Sequence, residues 1–149
     1  MLALATVASL FLNAFGGHWD CVNHSRGQPA TRLSYVIAAG PGRHWTIVRW
    51  SVASTAEAGT AYVEYLPAIR VWMYDDYHDD GGFYRDFSTG PDARGVWRWY
   101  GSHDQLHVDR TDGPESWSVS GGIFRQLYQG VEHGALVTYG SARCARSTS

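Results

Sequence analysis

The stretch VWMYDDYHDDGGFYRDF, Val71 to Phe87, sets Asp75, Asp76, His78, Asp79 and Asp80 among aromatic residues. Carboxylates and an imidazole this close in sequence could ligate a metal or exchange protons. A calcium loop needs acidic residues at alternate positions and a distant bidentate Glu, which this spacing lacks. A zinc site needs His or Cys at set separations, and only one His is present. The stretch therefore reads first as a hairpin with its loop at His78–Gly82. Asp tolerates turn geometry there, and Gly81-Gly82 supplies positive φ. Neither a metal nor a cofactor is expected.

The chemistry that survives lies on the strand before that turn. Side chains alternate across a strand, so Arg70, Trp72, Tyr74 and Asp76 share one face and Ile69, Val71, Met73 and Asp75 the other. With the ring-bearing face turned inward, a few polar groups stand among aromatic walls, the usual composition of a ligand pocket. Further along, Trp97 and Trp99 share a face, and His103, Asp104 and His107 form a second polar cluster. An Asp that orients an imidazole strengthens it as a base. His103 and Asp104 fall in an expected turn, which leaves His107 as the candidate there. The acid–base candidates are then Asp76, His107, Tyr74 and Arg85. The ligand-contacting candidates are Tyr35, Trp50, Arg70, Trp72, Trp97, Trp99 and Trp117. Plain core packing explains most aromatic strand residues, but seven Trp in 149 residues favour a cavity. The chain has no G-x-S-x-G nucleophile motif and no phosphate-cradling glycine loop.

These residues need elements to position them. A chain of 149 residues suits one domain. Hydrophobic content of 44% with 17% charged residues excludes a disordered chain. The twelve basic residues are all Arg, scattered from Arg26 to Arg146, and the net charge is −2. That pattern gives no footprint for nucleic acid and no polybasic membrane patch. At the start, Leu4, Val7, Phe11, Ala14 and Phe15 recur at helical spacing, with Gly16-Gly17 as a stop. No Arg precedes Arg26, so residues 1–16 read as a helix packed on the domain, not as a signal peptide. The same point favours a cytoplasmic location over secretion. The apolar run is too short to span a bilayer.

From Gly17 onward the period changes to two. GHWDCVNHS, TRLSYVIAA, RHWTIVRWSV, AIRVWMYD, GFYRDFS, GVWRWYG and their successors alternate between turn-forming connectors such as TDGPE (Thr111–Glu115) and QGVEHG (Gln129–Gly134). The expectation is an all-β, antiparallel up-and-down barrel of about eight to ten strands over residues 17–146. Closure removes the exposed edges. The helix would cap one mouth only, and the tail, ARSTS, is expected to fray. Cys21 and Cys144 leave two arrangements open: a disulfide, if the first and last strands are neighbours, or two buried thiols.

FGGHWDC at the first strand and ALVTYGSARCAR at the last resemble the calycin-like barrels, lipocalins in the broad sense. The layout is more similar still to small bacterial nitrobindin-like barrels. The resemblance implies that Gly17-His18-Trp19 is the first-strand motif, with Arg143 or Arg146 packed over Trp19 as a cation–π contact. Haem-binding members carry a histidine near the C-terminus. Here His133 sits in GVEHGALV, which reads as a turn, so haem is not carried over to it. The first expectation for function is a non-catalytic barrel that holds a small apolar or aromatic molecule. The alternative is a cofactor-free isomerase, cyclase or hydratase working through acid–base residues. Haem binding stands third. Monomer and dimer both remain open.

Overall fold

A computed structural model describes residues 7, 9–43, 45–103 and 112–148. After a short helix, α1 (Leu10–Phe15), come ten strands: β1 (Gly17–Ser25), β2 (Thr31–Ala39), β3 (Trp45–Val52), β4 (Ala58–Leu66), β5 (Val71–His78), β6 (Phe83–Ser88), β7 (Trp97–His103), β8 (Asp112–Ser120), β9 (Ile123–Glu132) and β10 (Ala135–Arg146). Each strand pairs antiparallel with its neighbours in sequence, and β10 pairs with β1 to close the barrel. This is the expected up-and-down barrel, with ten strands.

Alternation decides what enters the interior. On β2, Leu33, Tyr35 and Ile37 are buried while Arg32 and Ser34 face out. On β4, Gly59, Ala61 and Val63 are buried. Their small size makes room for the rings opposite. At the seam, Cys21 of β1 lies directly across from Cys144 of β10, and the two form a disulfide. Of the two arrangements open to the cysteines, the chain takes the bonded one, tying the first strand to the last.

Helix α1 plugs one end. Phe11 and Phe15, both fully buried, project into the barrel among Trp72, Trp97, Trp117 and Phe124. The indole N–H of Trp19 donates to the Phe15 carbonyl at 2.7 Å and fixes the helix to β1. The Arg146 guanidinium lies over the Trp19 ring, 3.9 Å from its centroid, and donates to the Gly16 carbonyl. A β-carbon at Gly17, where φ is 122°, would strike that guanidinium. Residues 1–6 and 8 of the expected helix lie outside the described residues.

Three boundaries differ from the sequence reading. In TDGPE, the described residues from Asp112 on are strand, not turn: Asp112–Ser120 is β8, with a bulge between Asp112 and Glu115 that absorbs Pro114. β9 continues to Glu132, so the turn in QGVEHG is only His133-Gly134, both at positive φ. The C-terminal end is paired through Arg146, and the Ser147 N–H donates to the His18 carbonyl at 3.0 Å, so it does not fray there.

Candidate functional site

Because α1 occupies only one end, the interior toward the other end is hollow. A cavity of about 350 Å³ opens there. Its floor is Tyr74, Trp99 and Trp117, whose ring centroids lie 5.5–6.2 Å apart. Beneath that floor lie Trp72, Trp97, Phe11 and Phe15. Trp50 from β3 and Tyr84 from β6 form walls on either side of His78. Tyr35, Leu33 and Val52 complete the apolar lining.

Three carboxylates enter this space from three strands: Asp76 of β5, Asp86 of β6 and Glu115 of β8. Asp76 Oδ1 accepts from the Trp50 indole N–H at 2.8 Å, and Asp76 Oδ2 lies 3.3 Å from His78 Nε2. Burial raises the Asp76 carboxyl above its ordinary range, with Trp50 and His78 pulling the other way. Glu115 Oε1 accepts from the Trp117 indole N–H and from Gln126 Nε2, the latter at 3.2 Å. Burial pushes the Glu115 carboxyl up to about 8, opposed by the Trp117 bond and reinforced by like-charge repulsion from Asp86 and Asp76. At neutral pH, Glu115 is therefore mostly a neutral acid.

A buried polar chain supports Glu115. Gln126, fully buried, donates to Tyr35 Oη at 3.0 Å and accepts from Tyr128 Oη at 3.1 Å. Burial also raises the phenols of Tyr35, Tyr74 and Tyr128 well above their ordinary value, so all three stay protonated. Among the described residues, none accepts from the indole N–H of Trp99, on the cavity floor.

The structure gathers Tyr35, Trp50, Tyr74, Asp76, Trp99 and Trp117 of the predicted residues around this cavity. It places Trp72, Trp97, Arg70 and Arg85 elsewhere. Trp72 and Trp97 are buried in the plugged half, against α1. Arg70 sits in the β4–β5 turn at a φ of 55°, exposed, because the strand begins only at Val71. Arg85 is on the outer face and forms a two-point ion pair with Asp75 at 2.6 and 2.7 Å. Its neighbours Tyr84 and Asp86 are the ones that point in. His107 lies outside the described residues. His133, in the β9–β10 turn, is exposed and away from the cavity. The hairpin loop expected at His78–Gly82 is Asp79–Gly82, because β5 runs through His78; the Gly82 N–H donates to Asp80 Oδ1 at 2.9 Å. The five acidic and imidazole groups of the opening stretch do not converge. Asp75 faces out, Asp76 and His78 face in, and Asp79 and Asp80 lie in the turn.

Sequence reasoning does not reach Glu115, Asp86 or Gln126 as site residues. By its sequence, Glu115 belongs to the turn expected at Thr111–Glu115. Asp86 shares the inward face of β6 with Tyr84, the face opposite Arg85.

No protein-family model matches this chain, and no curated protein matches it. Among solved structures, the crystal structure of Rv2717c from M. tuberculosis superposes with a TM-score of 0.65 at 13% sequence identity. The match covers 94% of this chain and 97% of that one. At that identity the likeness shows a shared small-barrel fold.

Proposed function

We propose that this protein binds a small, largely aromatic or apolar molecule in the open half of its barrel. One observation carries the reading: a cavity of about 350 Å³ with ring-bearing walls and a few convergent polar groups. Its size falls within the range of small-molecule pockets, roughly 300–1,000 Å³, and its lining has their composition. The proposed kinship with calycin-like barrels fits the same reading. It is supported by Arg146 over Trp19 beside Gly17, the arrangement that the resemblance implies.

Trp50, Trp99 and Trp117 line the cavity, so occupancy alters indole emission. The test is Trp fluorescence of the purified protein across a library of small aromatic and aliphatic compounds. Saturable quenching or a spectral shift by some class supports the reading; no response across all classes refutes it.

A second reading has a specific observation behind it: acid–base catalysis without a cofactor. Glu115 is a mostly neutral acid at neutral pH, and Asp76 is oriented by Trp50 and His78 across the same space. One group would donate and the other accept a proton during an isomerisation, cyclisation or hydration. Under this reading, Glu115→Gln and Asp76→Asn abolish turnover of a compound that each variant still binds. Unchanged turnover in both variants rejects it.

A further inference from the structure

We infer that two copies of this chain pair through the outer face of β3–β6, about a two-fold axis at Ile47 and Tyr62. The pairing is independent of any guest in the barrel.

The first argument is what this face exposes. A run of rings crosses it from strand to strand. Trp45 of β3 meets Tyr62 of β4 at 5.8 Å between centroids, Tyr62 meets Tyr77 of β5 at 6.0 Å, and Tyr77 meets Phe83 of β6 at 5.0 Å. Trp45, Tyr77 and Phe83 are 46%, 49% and 40% exposed. Apolar residues scattered singly over a surface are ordinary, but rings in contact across four strands form a patch, and such patches mark interfaces. Aromatic side chains are also the type enriched at the centre of protein interfaces. None of the four lines the cavity, so a guest there does not account for them.

The second argument selects the partner. In the β3–β4 register Ile47 lies opposite Tyr62, with Trp45 opposite Glu64 on one side and Arg49 opposite Thr60 on the other. Arg49 and Glu64 therefore stand two residues from the Ile47–Tyr62 pair in opposite directions. Four residues at about 3.4 Å each separate them along the strands, too far to meet within one chain. Neither has an ion pair among the described residues. A two-fold axis through the Ile47–Tyr62 pair, running across the strands, exchanges the two positions. Arg49 of one copy then faces Glu64 of the other, twice, with Tyr62 beside its own copy on the axis. That reciprocity is what an isologous dimer requires. The other charges at outward positions of β3–β6, Asp75 and Arg85, already pair with each other, so two copies of the face meet with acids and bases in balance. An anionic lipid surface would call for a surplus of basic residues, which this face lacks.

The test is the mass of the full chain by light scattering, with sedimentation equilibrium from micromolar to submillimolar protein to give the dimer Kd. Wild type is expected at twice the 16.5 kDa of one chain. Arg49→Glu and Glu64→Arg each set like charges against one another across the axis, and each is expected to raise Kd at least about tenfold. The double variant Arg49→Glu/Glu64→Arg puts opposite charges back in contact and is expected to return Kd to within about threefold of wild type. The wild-type mass tests the pairing even if a variant fails to fold. A monomer at every concentration overturns the inference. So does a dimer whose Kd neither single variant changes, or one that the double variant does not restore.

Discussion

Replacing Glu115 by Gln should make the protein more stable relative to wild type as pH rises. The carboxyl moves from its ordinary 4.5 in the unfolded chain to about 8 in the barrel. At about 1.36 kcal/mol per pH unit, that corresponds to roughly 5 kcal/mol. Glu115 keeps part of its surface open to the cavity, and relaxation trims the figure to about 2–5 kcal/mol. The sign follows from proton uptake. Between pH 4.5 and 8 the folded protein holds a proton that the unfolded chain has lost, so stability falls as pH climbs through that window. Below it both states are protonated and the penalty vanishes; above it the penalty is complete. The introduced amide keeps an oxygen to accept from Trp117, and any loss from its altered hydrogen bonds, about 1 kcal/mol, does not depend on pH. Asp76 titrates in both proteins and largely cancels. The assay is urea unfolding of wild type and Glu115→Gln at about pH 5, 7 and 9, spanning the window of proton uptake. The variant should gain about 2–5 kcal/mol on wild type across that range. A difference that stays flat would refute the burial of an ionisable carboxyl at this site.

Further outcomes follow from the packing. Breaking the Cys21–Cys144 bond by Cys144→Ser frees the two ends of a barrel closed across 123 residues; loop-closure entropy puts the loss at up to about 5 kcal/mol, read as a lower urea midpoint than in the oxidised wild type. Phe11→Ala empties the plugged half among Trp72, Trp97 and Trp99 and should cost about 3–5 kcal/mol, measured by thermal or urea unfolding. At Gly59→Ala the new methyl would lie 2.6 Å from the Trp50 ring, so the indole must move off Asp76. The near-ultraviolet circular dichroism and Trp emission should change more than the urea midpoint does.

Most of the fold was legible because period two is a strong signal wherever one face is wet. β2, with Leu33, Tyr35 and Ile37 against Arg32 and Ser34, is a clear instance. The helix was equally plain, since Phe11 and Phe15 recur at one-turn spacing. What alternation could not show was depth along the barrel. Trp72 and Tyr74 share a face of β5, yet one lies under the floor of the cavity and the other forms it. That difference depends on how far α1 penetrates, a tertiary matter. The bulge in β8 was invisible for another reason: Asp112-Gly113-Pro114 carries the chemistry of a turn, and only its pairing with β9 holds it in strand. Glu115, the most perturbed carboxyl of the site, was hidden by that local signal. Arg70 and Arg85 were misplaced by strand boundary and by face, errors of one residue that flip a side chain from interior to exterior.

The central claim is that a guest enters the half of the barrel that α1 leaves empty. Two-dimensional ¹H–¹⁵N spectra resolve the indole N–H of each Trp, so titration with neutral 2-phenylethanol locates it directly. Saturable shifts at Trp50, Trp99 and Trp117, with Trp19, Trp72 and Trp97 much less affected, are the predicted result. Shifts led by Trp45 on the outer wall or by the helix-side Trp97, with the three cavity indoles unmoved, would contradict it.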